Sequence, residues 1–453
     1  MNNKPEETMP PLLVLINPWI YDFAAYDLWA KPLGLLSIGA HLRQYGFRVR
    51  LIDCLDVHCA PTPADVCLTR PKRRLYGTGK FWRCQVPRPE PLKHVARPYS
   101  RYGISRRAFV EELKKIRKPA AFLVTSMMTY WYPGVKEAIA VIKEIFPSVP
   151  VILGGIYALV CHDHAARNMD ANCILTTADP SSLLNTLFEF GVPTPPAGQA
   201  PLSYPAFDLQ RRIEYICLLT SRGCPYGCQY CASRFLEPHM SRRNPEHVLQ
   251  EILFWHRYFG VRDFAFYDDA LLLGFETHLG VVLERLASLG LNLRFHTPNA
   301  VHIREITPDI ARLMRRTGFR TIRLGLETAD PSLHDQLDRK VTEGEFPRAV
   351  GNLVKAGFDR KQIGVYLLMG LPGQSPESVS NTIDHVAGAG GVPYLAEYSP
   401  IPHTGLWEKA VRSSTYDLES EPLFHNNTLL PCWDEARKRQ VPLLRQRAMT
   451  ARH

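Results

Sequence analysis

Three cysteines within eight residues, Cys224, Cys228 and Cys231 in the stretch SRGCPYGCQYCAS (221–233), carry the strongest chemical signal in the chain. Thiolates spaced C-x3-C-x2-C on one loop can converge on one metal centre. A structural zinc site takes four ligands, often as two C-x2-C pairs. The nearest spare candidates are badly placed, Cys217 in an apolar run seven residues earlier and His239 just after a proline. An iron–sulfur cube is usually held by four cysteines. Three of them leave one iron open to a ligand that the protein does not supply.

A loop of this kind must be positioned by rigid elements, and the apolar runs show which. In the first 190 residues LLVLI (12–16), FRVRLID (47–53), AAFLVTS (120–126), VPVILGG (149–155) and ANCILTT (171–177) alternate with helical patterns such as LGLLSIGAHLRQYG and GVKEAIAVIKEIF. Near-continuous apolar strands alternating with helices predict an open, doubly wound, mostly parallel sheet, an α/β Rossmann-like domain. Its ligands would sit outside the carboxyl ends of the strands. The proline-rich stretch 192–209, VPTPPAGQAPLSYPAFDL, reads as a linker. Beyond it EYICLLT (214–220), DFAFYDD (263–269), LRFHTPN (293–299), TIRLGLE (321–327), QIGVYLLMG (362–370) and PYLAEYSP (393–400) restart the alternation. Six βα units predict a partial (β/α)6 TIM-like barrel with its chemistry at the C-terminal strand ends. The domain reading is therefore 1–191, with a basic insertion over about 56–118, then the linker 192–209, the barrel 210–412 and a basic extension 413–453.

CPYGCQYC, on the loop after the first barrel strand, resembles the radical S-adenosylmethionine enzymes. The resemblance implies a [4Fe-4S] cluster held by Cys224, Cys228 and Cys231, the residues on which catalysis would rest. It implies that S-adenosylmethionine chelates the fourth iron and is cleaved reductively to a 5′-deoxyadenosyl radical, with a low-potential electron donor such as flavodoxin or ferredoxin. Further cofactor contacts are implied segment by segment. Tyr230 matches the aromatic beside the third cysteine, whose backbone meets the adenine. Asp268 and Asp269 of YDDALL stand where the family more usually has Gly-Gly-Glu for the cofactor's amino group; such a pair is otherwise a helix cap or turn. RLGLETAD resembles the fourth-strand segment and offers Glu327, with Arg323 pointing to the same region. MGLPGQ resembles the fifth-strand turn, where Gly370, Pro372 and Gly373 bring backbone to adenosine. EYSPIPHTGLWE resembles the sixth-strand segment, with Pro400 and Ile401 as adenine contacts and Tyr398 and His403 either near substrate or in packing.

The fused N-terminal domain, through PLGLLSIGAHL and VILGG, resembles the cobalamin-binding domain of the B12-dependent subgroup, which implies cobalamin as a further cofactor and methyl transfer or rearrangement as the outcome. Two departures stand against it. The loop after the first strand reads NPWIYDF and lacks the D-x-H-x-x-G run of histidine-ligated cobalamin. The loop after the fifth strand reads TADPSS where a Gly-Glu-Gly-Glu-like turn is expected. DVHCAP places His58 after the second strand and before a proline, as a loop histidine. The alternatives are a radical enzyme whose N-terminal domain holds no cobalamin, and a non-enzymatic basic iron–sulfur protein that binds nucleic acid.

Composition frames these readings. With 45% hydrophobic and 22% charged residues the chain is ordinary globular material. No run approaches the roughly 18 apolar residues of a membrane span, and the N-terminus lacks a signal pattern, so a cytoplasmic location is expected. Eleven cysteines, scattered outside the cluster, suit a reducing compartment better than a disulfide framework. The net charge of +10 is concentrated, with sixteen Lys or Arg against three Glu from Arg70 to Lys118. Arginines interleaved with aromatics suit nucleic acid, an anionic substrate or a solvated face alike. The substrate, small molecule or peptide, is not encoded in any motif.

Overall fold

Apolar runs without polar alternation build strands covered on both faces, and in the first of them, Leu12–Asn17 (β1), Leu13, Val14, Leu15 and Ile16 are fully buried. The computed structural model describes residues 9–59, 61, 65–177, 179–195 and 204–452. The chain divides into two units, Met1–Ile213 and Glu214–His453.

In the first unit β1 is joined by Arg48–Asp53 (β2), Pro119–Val124 (β3), Val151–Leu153 (β4) and Cys173–Ile174 (β5) in one parallel sheet ordered β2-β1-β3-β4-β5. Alternate residues of β1 feed two cores. Val14 and Ile16 pack with Phe122, Ile139 and Ile142, whereas Leu13 and Leu15 pack with Leu35, Leu42 and Leu187. The order reverses between β1 and β3, the switch point at which such sheets bind ligands. Both expected features of this domain, parallel strands and intervening helices, are present.

The basic insertion has a fold of its own. Ile20–Asp22, Tyr99–Tyr102 and Arg83–Val86 form an antiparallel sheet that engages the loop after β1. Trp19 lies buried beneath it and donates to the Ile104 carbonyl at 2.7 Å. Here the structure departs from the expected absence of disulfides. The backbone bonds between Thr69 and Arg83, at 2.7 and 3.3 Å, draw the flanking Cys67 and Cys84 to a Cα separation of 5.2 Å, and they are bonded. Residues 60 and 62–64 of the insertion lie outside the described residues.

The linker reading is also corrected. Of 192–209, residues 196–203 lie outside the described residues, and the end of the stretch belongs to the first unit. Ala206 N–H donates to the Leu36 carbonyl at 3.0 Å, Phe207 is fully buried, and Asp208 pairs with Arg43 at 2.7 Å.

The second unit has six parallel strands in sequential order, Ile216–Leu218 (β6), Asp263–Phe266 (β7), Arg294–His296 (β8), Phe319–Glu327 (β9), Ile363–Met369 (β10) and Val392–Glu397 (β11). Helices separate them, and their starts are set by side-chain caps: Asn244 accepts from Glu246 N–H, Thr307 from Ile310 N–H and Ser375 from Ser378 N–H. The helix Pro308–Thr317 ends at Gly318, whose φ of 98° and close approach to the Leu293 carbonyl oxygen leave no room for a Cβ. Gly318→Ala is expected to cost about 2 kcal/mol through backbone strain and overpacking, read as a lowered thermal midpoint with the strands otherwise intact. The segment read as a basic extension is an integral layer of this unit. Arg447 pairs with Asp384 at 2.6 Å, Arg445 with Glu397 at 2.9 Å, and the Trp433 indole donates to the Leu371 carbonyl at 3.3 Å.

Candidate functional site

The cysteine loop starts where β6 ends, and Asp268 fixes that start. Its carboxylate is 2% exposed and accepts from Thr220 N–H at 3.0 Å, Thr220 Oγ1 at 2.6 Å, Ser221 N–H at 2.6 Å and Ser221 Oγ at 2.7 Å. Of the two readings of this pair, Asp268 takes the turn, its carboxylate committed to the backbone and hydroxyls of Thr220 and Ser221, and of the two aspartates Asp269 lines the cavity. Gly223 turns the chain at φ 76°, with the His239 carbonyl 2.8 Å from where a Cβ would stand. Farther along, Gln229 N–H donates to the Leu337 carbonyl and Leu406 N–H to the Gln229 carbonyl, each at 2.8 Å, so the loop is clamped between two segments of the barrel rim. Asp268→Ala would leave buried donors unsatisfied. It is expected to cost about 1–3 kcal/mol and to reduce iron uptake measured after reconstitution.

Cys224, Cys228 and Cys231 line one cavity of about 300 Å³ together with Tyr230, Asp269, Asn299, His302, Lys340 and Tyr366. Among the described residues no three His, Cys, Asp or Glu side chains close on a single ion. Three thiols on one cavity suit a four-iron cube with one iron open, whereas tetrahedral zinc takes four ligands. Cys217 is fully buried in β6 and His239 is exposed, so neither completes a zinc set. Burial raises the Cys224 thiol and pushes Cys228 up to about 11, so both are neutral thiols until a metal displaces their protons. Cys231 Sγ accepts from Ser233 N–H at 3.4 Å and lies 3.2 Å from the Ser233 hydroxyl. Burial also raises the Asp269 carboxyl, and neighbouring Asp268 adds to the effect.

The other expected contacts are distributed unevenly. Tyr230 is in the cavity wall and its hydroxyl donates to Asp338 at 3.0 Å. Glu327 ends β9 at a bulge, with φ of 66° and a buried side chain whose carboxyl is raised by desolvation and lowered by Lys340. It stands 3.9 Å from the Lys340 ammonium, which lines the cavity. Arg323 does not line the cavity. Its guanidinium is buried against the Tyr394 ring, 4.5 Å from the centroid, and donates to the Ile322 carbonyl. Gly370 has φ 98°, and the Leu430 side chain lies 2.7 Å from where a Cβ would stand, so the C-terminal segment already requires a glycine there. Gly373 is likewise left-handed at φ 82°, Leu371 N–H and Gly370 N–H both donate to Gln374 Oε1, and Pro372 lies within this turn. Pro400 is buried, the Ile401 carbonyl accepts from Thr404, His403 stacks on Phe235 at 4.1 Å and Tyr398 is buried with a hydroxyl raised by desolvation. None of these residues of the last two strands lines the cavity.

Sequence reasoning missed Lys340, Asp338, Asn299, His302 and Tyr366. Lys340 and Asp338 sit in LDRKV, an aperiodic loop whose path depends on Arg339 in the left-handed region at φ 51°. Asn299 and His302 follow β8, and strand-end position was the signal that pointed to them.

In the first unit the carboxyl ends of β3 and β4 carry an exposed apolar shelf, with Met127, Met128 and Ile156 at 39%, 45% and 36% exposure. Beside it Gly154 presents no side chain, and a Cβ there would meet nothing closer than the Leu175 carbonyl at 4.0 Å. His58 N–H bonds Asp56 in a local turn, and Asp179 caps the helix Pro180–Glu189.

A partial parallel barrel with three thiols lining a cavity at its strand ends is the arrangement that the radical S-adenosylmethionine resemblance implies. Residues 218–386 match the model of the Radical SAM superfamily. The chain is 26% identical over 221 residues to an uncharacterized methyltransferase of Pyrococcus horikoshii, covering 46% of each chain. It is 24% identical to the bacteriochlorophyllide d C-12(1)-methyltransferase of Chlorobaculum tepidum, covering 51% of this chain and 50% of that one. The chain thus spans about half the length of the curated relatives it matches. Among solved structures it resembles the radical S-adenosylmethionine methyltransferase TsrM of Kitasatospora setae with cobalamin and a [4Fe-4S] cluster bound, at TM-score 0.63 and 16% identity over 90% of this chain and 80% of that one. The cobalamin-dependent enzyme OxsB follows at TM-score 0.55 and 12% identity, over 83% and 52%. These likenesses show the fold, a Rossmann-like domain followed by a partial barrel.

Proposed function

We propose that this chain is a radical S-adenosylmethionine enzyme in which Cys224, Cys228 and Cys231 hold a [4Fe-4S] cluster and the first unit binds cobalamin for methyl transfer to an unidentified substrate. The observation that carries the reading is the three-thiol cavity, which among the described residues has no fourth cysteine and offers Asp269, Asn299 and Lys340 beside the thiols. When bound, the cluster supplies the electron that splits the sulfonium of S-adenosylmethionine, and cobalamin supplies a methyl carrier. The protein's own part is positional. Asp268 and the clamps at Gln229 hold the loop, Asp269 and Asn299 offer acceptor and donor atoms to an amino-acid moiety, and Glu327 supplies a carboxylate at the strand end. Met127, Met128, Ile156 and the bare Gly154 would hold the corrin, with no histidine for its cobalt. A low-potential donor such as flavodoxin or ferredoxin would deliver the electron.

The second reading, radical chemistry with a first unit that does not bind cobalamin, is favoured by one observation: the loop after β1 is folded into the antiparallel sheet with Trp19 buried. Anaerobic reconstitution with hydroxocobalamin separates the two. Retained corrin absorbance after gel filtration, reduced by Met127→Asp, is the expected result. Loss of all corrin absorbance with intact formation of 5′-deoxyadenosine would leave the second reading. Salt-sensitive binding to RNA without that nucleoside would support the basic iron–sulfur protein instead.

A further inference from the structure

Beside the cysteines the structure buries more charge than a metal loop needs. The helix Pro331–Leu337 ends at Asp338, Arg339 turns the chain in the left-handed region, and Lys340 enters the cavity wall. Its side chain is 12% exposed. Asp338 is more deeply buried still. Its carboxylate receives the Tyr230 hydroxyl at 3.0 Å, lies 3.2 Å from His334 Nδ1 and accepts from Lys340 N–H at 3.0 Å.

The Lys340 ammonium stands 3.8 Å from Asp338 and 3.9 Å from Glu327, and 5.4 Å from the Tyr230 ring centroid. Both carboxylates are beyond hydrogen-bond distance. A buried ammonium with two nearby carboxylates and no hydrogen bond to either acts as a point charge, and removing a water shell at this depth is costly unless the charge is balanced. Burial pulls its pKa down, but Glu327, Cys228 and Asp338 together outweigh that, so it remains charged. Glu327 and Asp338 share this one ammonium, His334 being the other basic partner of Asp338, and three thiolates would add negative charge beside it.

We infer that Lys340 is the electrostatic counterweight of the iron–sulfur cluster, a positioning residue whose fixed positive charge sets how readily the cluster accepts an electron. The inference rests on the reading that the three cysteines hold a [4Fe-4S] cluster. In the step concerned one electron passes from an external low-potential donor to the cluster, no bond forms or breaks, and the added negative charge develops next to Glu327 and Asp338. A unit charge acting over roughly 10 Å at an effective dielectric of about 20 alters such an equilibrium on the order of tenfold.

The test is a dithionite redox titration of the anaerobically reconstituted full chain, followed by electron paramagnetic resonance, without S-adenosylmethionine. Lys340→Gln is expected to keep wild-type iron and sulfide while its reduction constant falls about tenfold, a shift of about 59 mV to lower potential for one electron. Lys340→Arg should restore it to within about threefold. Asp338→Asn should move the potential upward. A Lys340→Gln protein with a full cluster and an unmoved potential overturns the inference. If that variant assembles no cluster, Asp338→Asn decides alone, and an unmoved or lowered potential there overturns it. A wild-type chain that takes no cluster overturns the cluster reading and this inference together, whereas a wild-type cluster with unmoved variants overturns this inference only.

Discussion

Cys228→Ala is expected to abolish formation of 5′-deoxyadenosine, by at least about three orders of magnitude, while leaving the barrel folded. The reason is geometric. The three thiols line one cavity, and no fourth cysteine lines it among the described residues. The variant keeps only two of the cube's three protein anchors, and metal affinity falls steeply with each thiolate removed. Fold stability should change little. Cys228 is partly buried, its loop is clamped through the neighbouring Gln229 backbone, and a small thiol-to-methyl change leaves that clamp in place. The measurement is chromatography of the nucleoside after anaerobic incubation with dithionite and S-adenosylmethionine, beside far-ultraviolet circular dichroism. Nucleoside at wild-type rate from the variant would contradict the assignment of this thiol.

The second large effect concerns Glu327. A non-glycine residue at φ 66° costs about 1–3 kcal/mol, and this one stands at a bulge where the register of β9 on β10 shifts between Gly325 and Glu327. The bulge aims a buried carboxylate toward the Lys340 side of the cavity wall. A charge-assisted hydrogen bond to a ribose or ammonium contributes about 1.5–3 kcal/mol. Glu327→Gln is therefore expected to raise the Kd for S-adenosylmethionine about 10- to 100-fold in equilibrium binding to the reconstituted protein. Glu327→Gly should lose the same affinity yet keep or raise the thermal midpoint, because glycine adopts the left-handed region without strain. Strain and binding are thereby read separately. An unchanged Kd in both variants would reduce Glu327 to a structural partner of Lys340.

The elements that position the site were legible because each depends on short-range pattern. Apolar runs marked β1 to β11. The C-x3-C-x2-C spacing places three thiols on one loop whatever the fold around it. What stayed hidden depends on contacts distant in sequence. The family resemblance offered Asp268 as a cofactor contact with a cap or turn as the alternative, and only the folded chain shows Thr220 and Ser221 taking its lone pairs. Arg323 carries a charge in the right strand, but Tyr394 covers it. Gly370 suggested close approach of a nucleotide, and Leu430 from the C-terminal segment already accounts for it. Lys340 had no pattern at all, since its place follows from one left-handed residue in an aperiodic loop. The Cys67–Cys84 pair likewise follows from backbone pairing between Thr69 and Arg83, which no spacing rule shows.

The central claim is that the three-cysteine loop holds a cluster with one iron open to S-adenosylmethionine. Electron paramagnetic resonance of the anaerobically reconstituted, dithionite-reduced wild-type chain tests it most directly. The account predicts about four irons and four sulfides per chain and a reduced-cluster signal whose g-values change on adding S-adenosylmethionine and stay unchanged on adding buffer alone. Stoichiometric zinc in place of iron, or a full cluster whose signal S-adenosylmethionine leaves untouched, would contradict it.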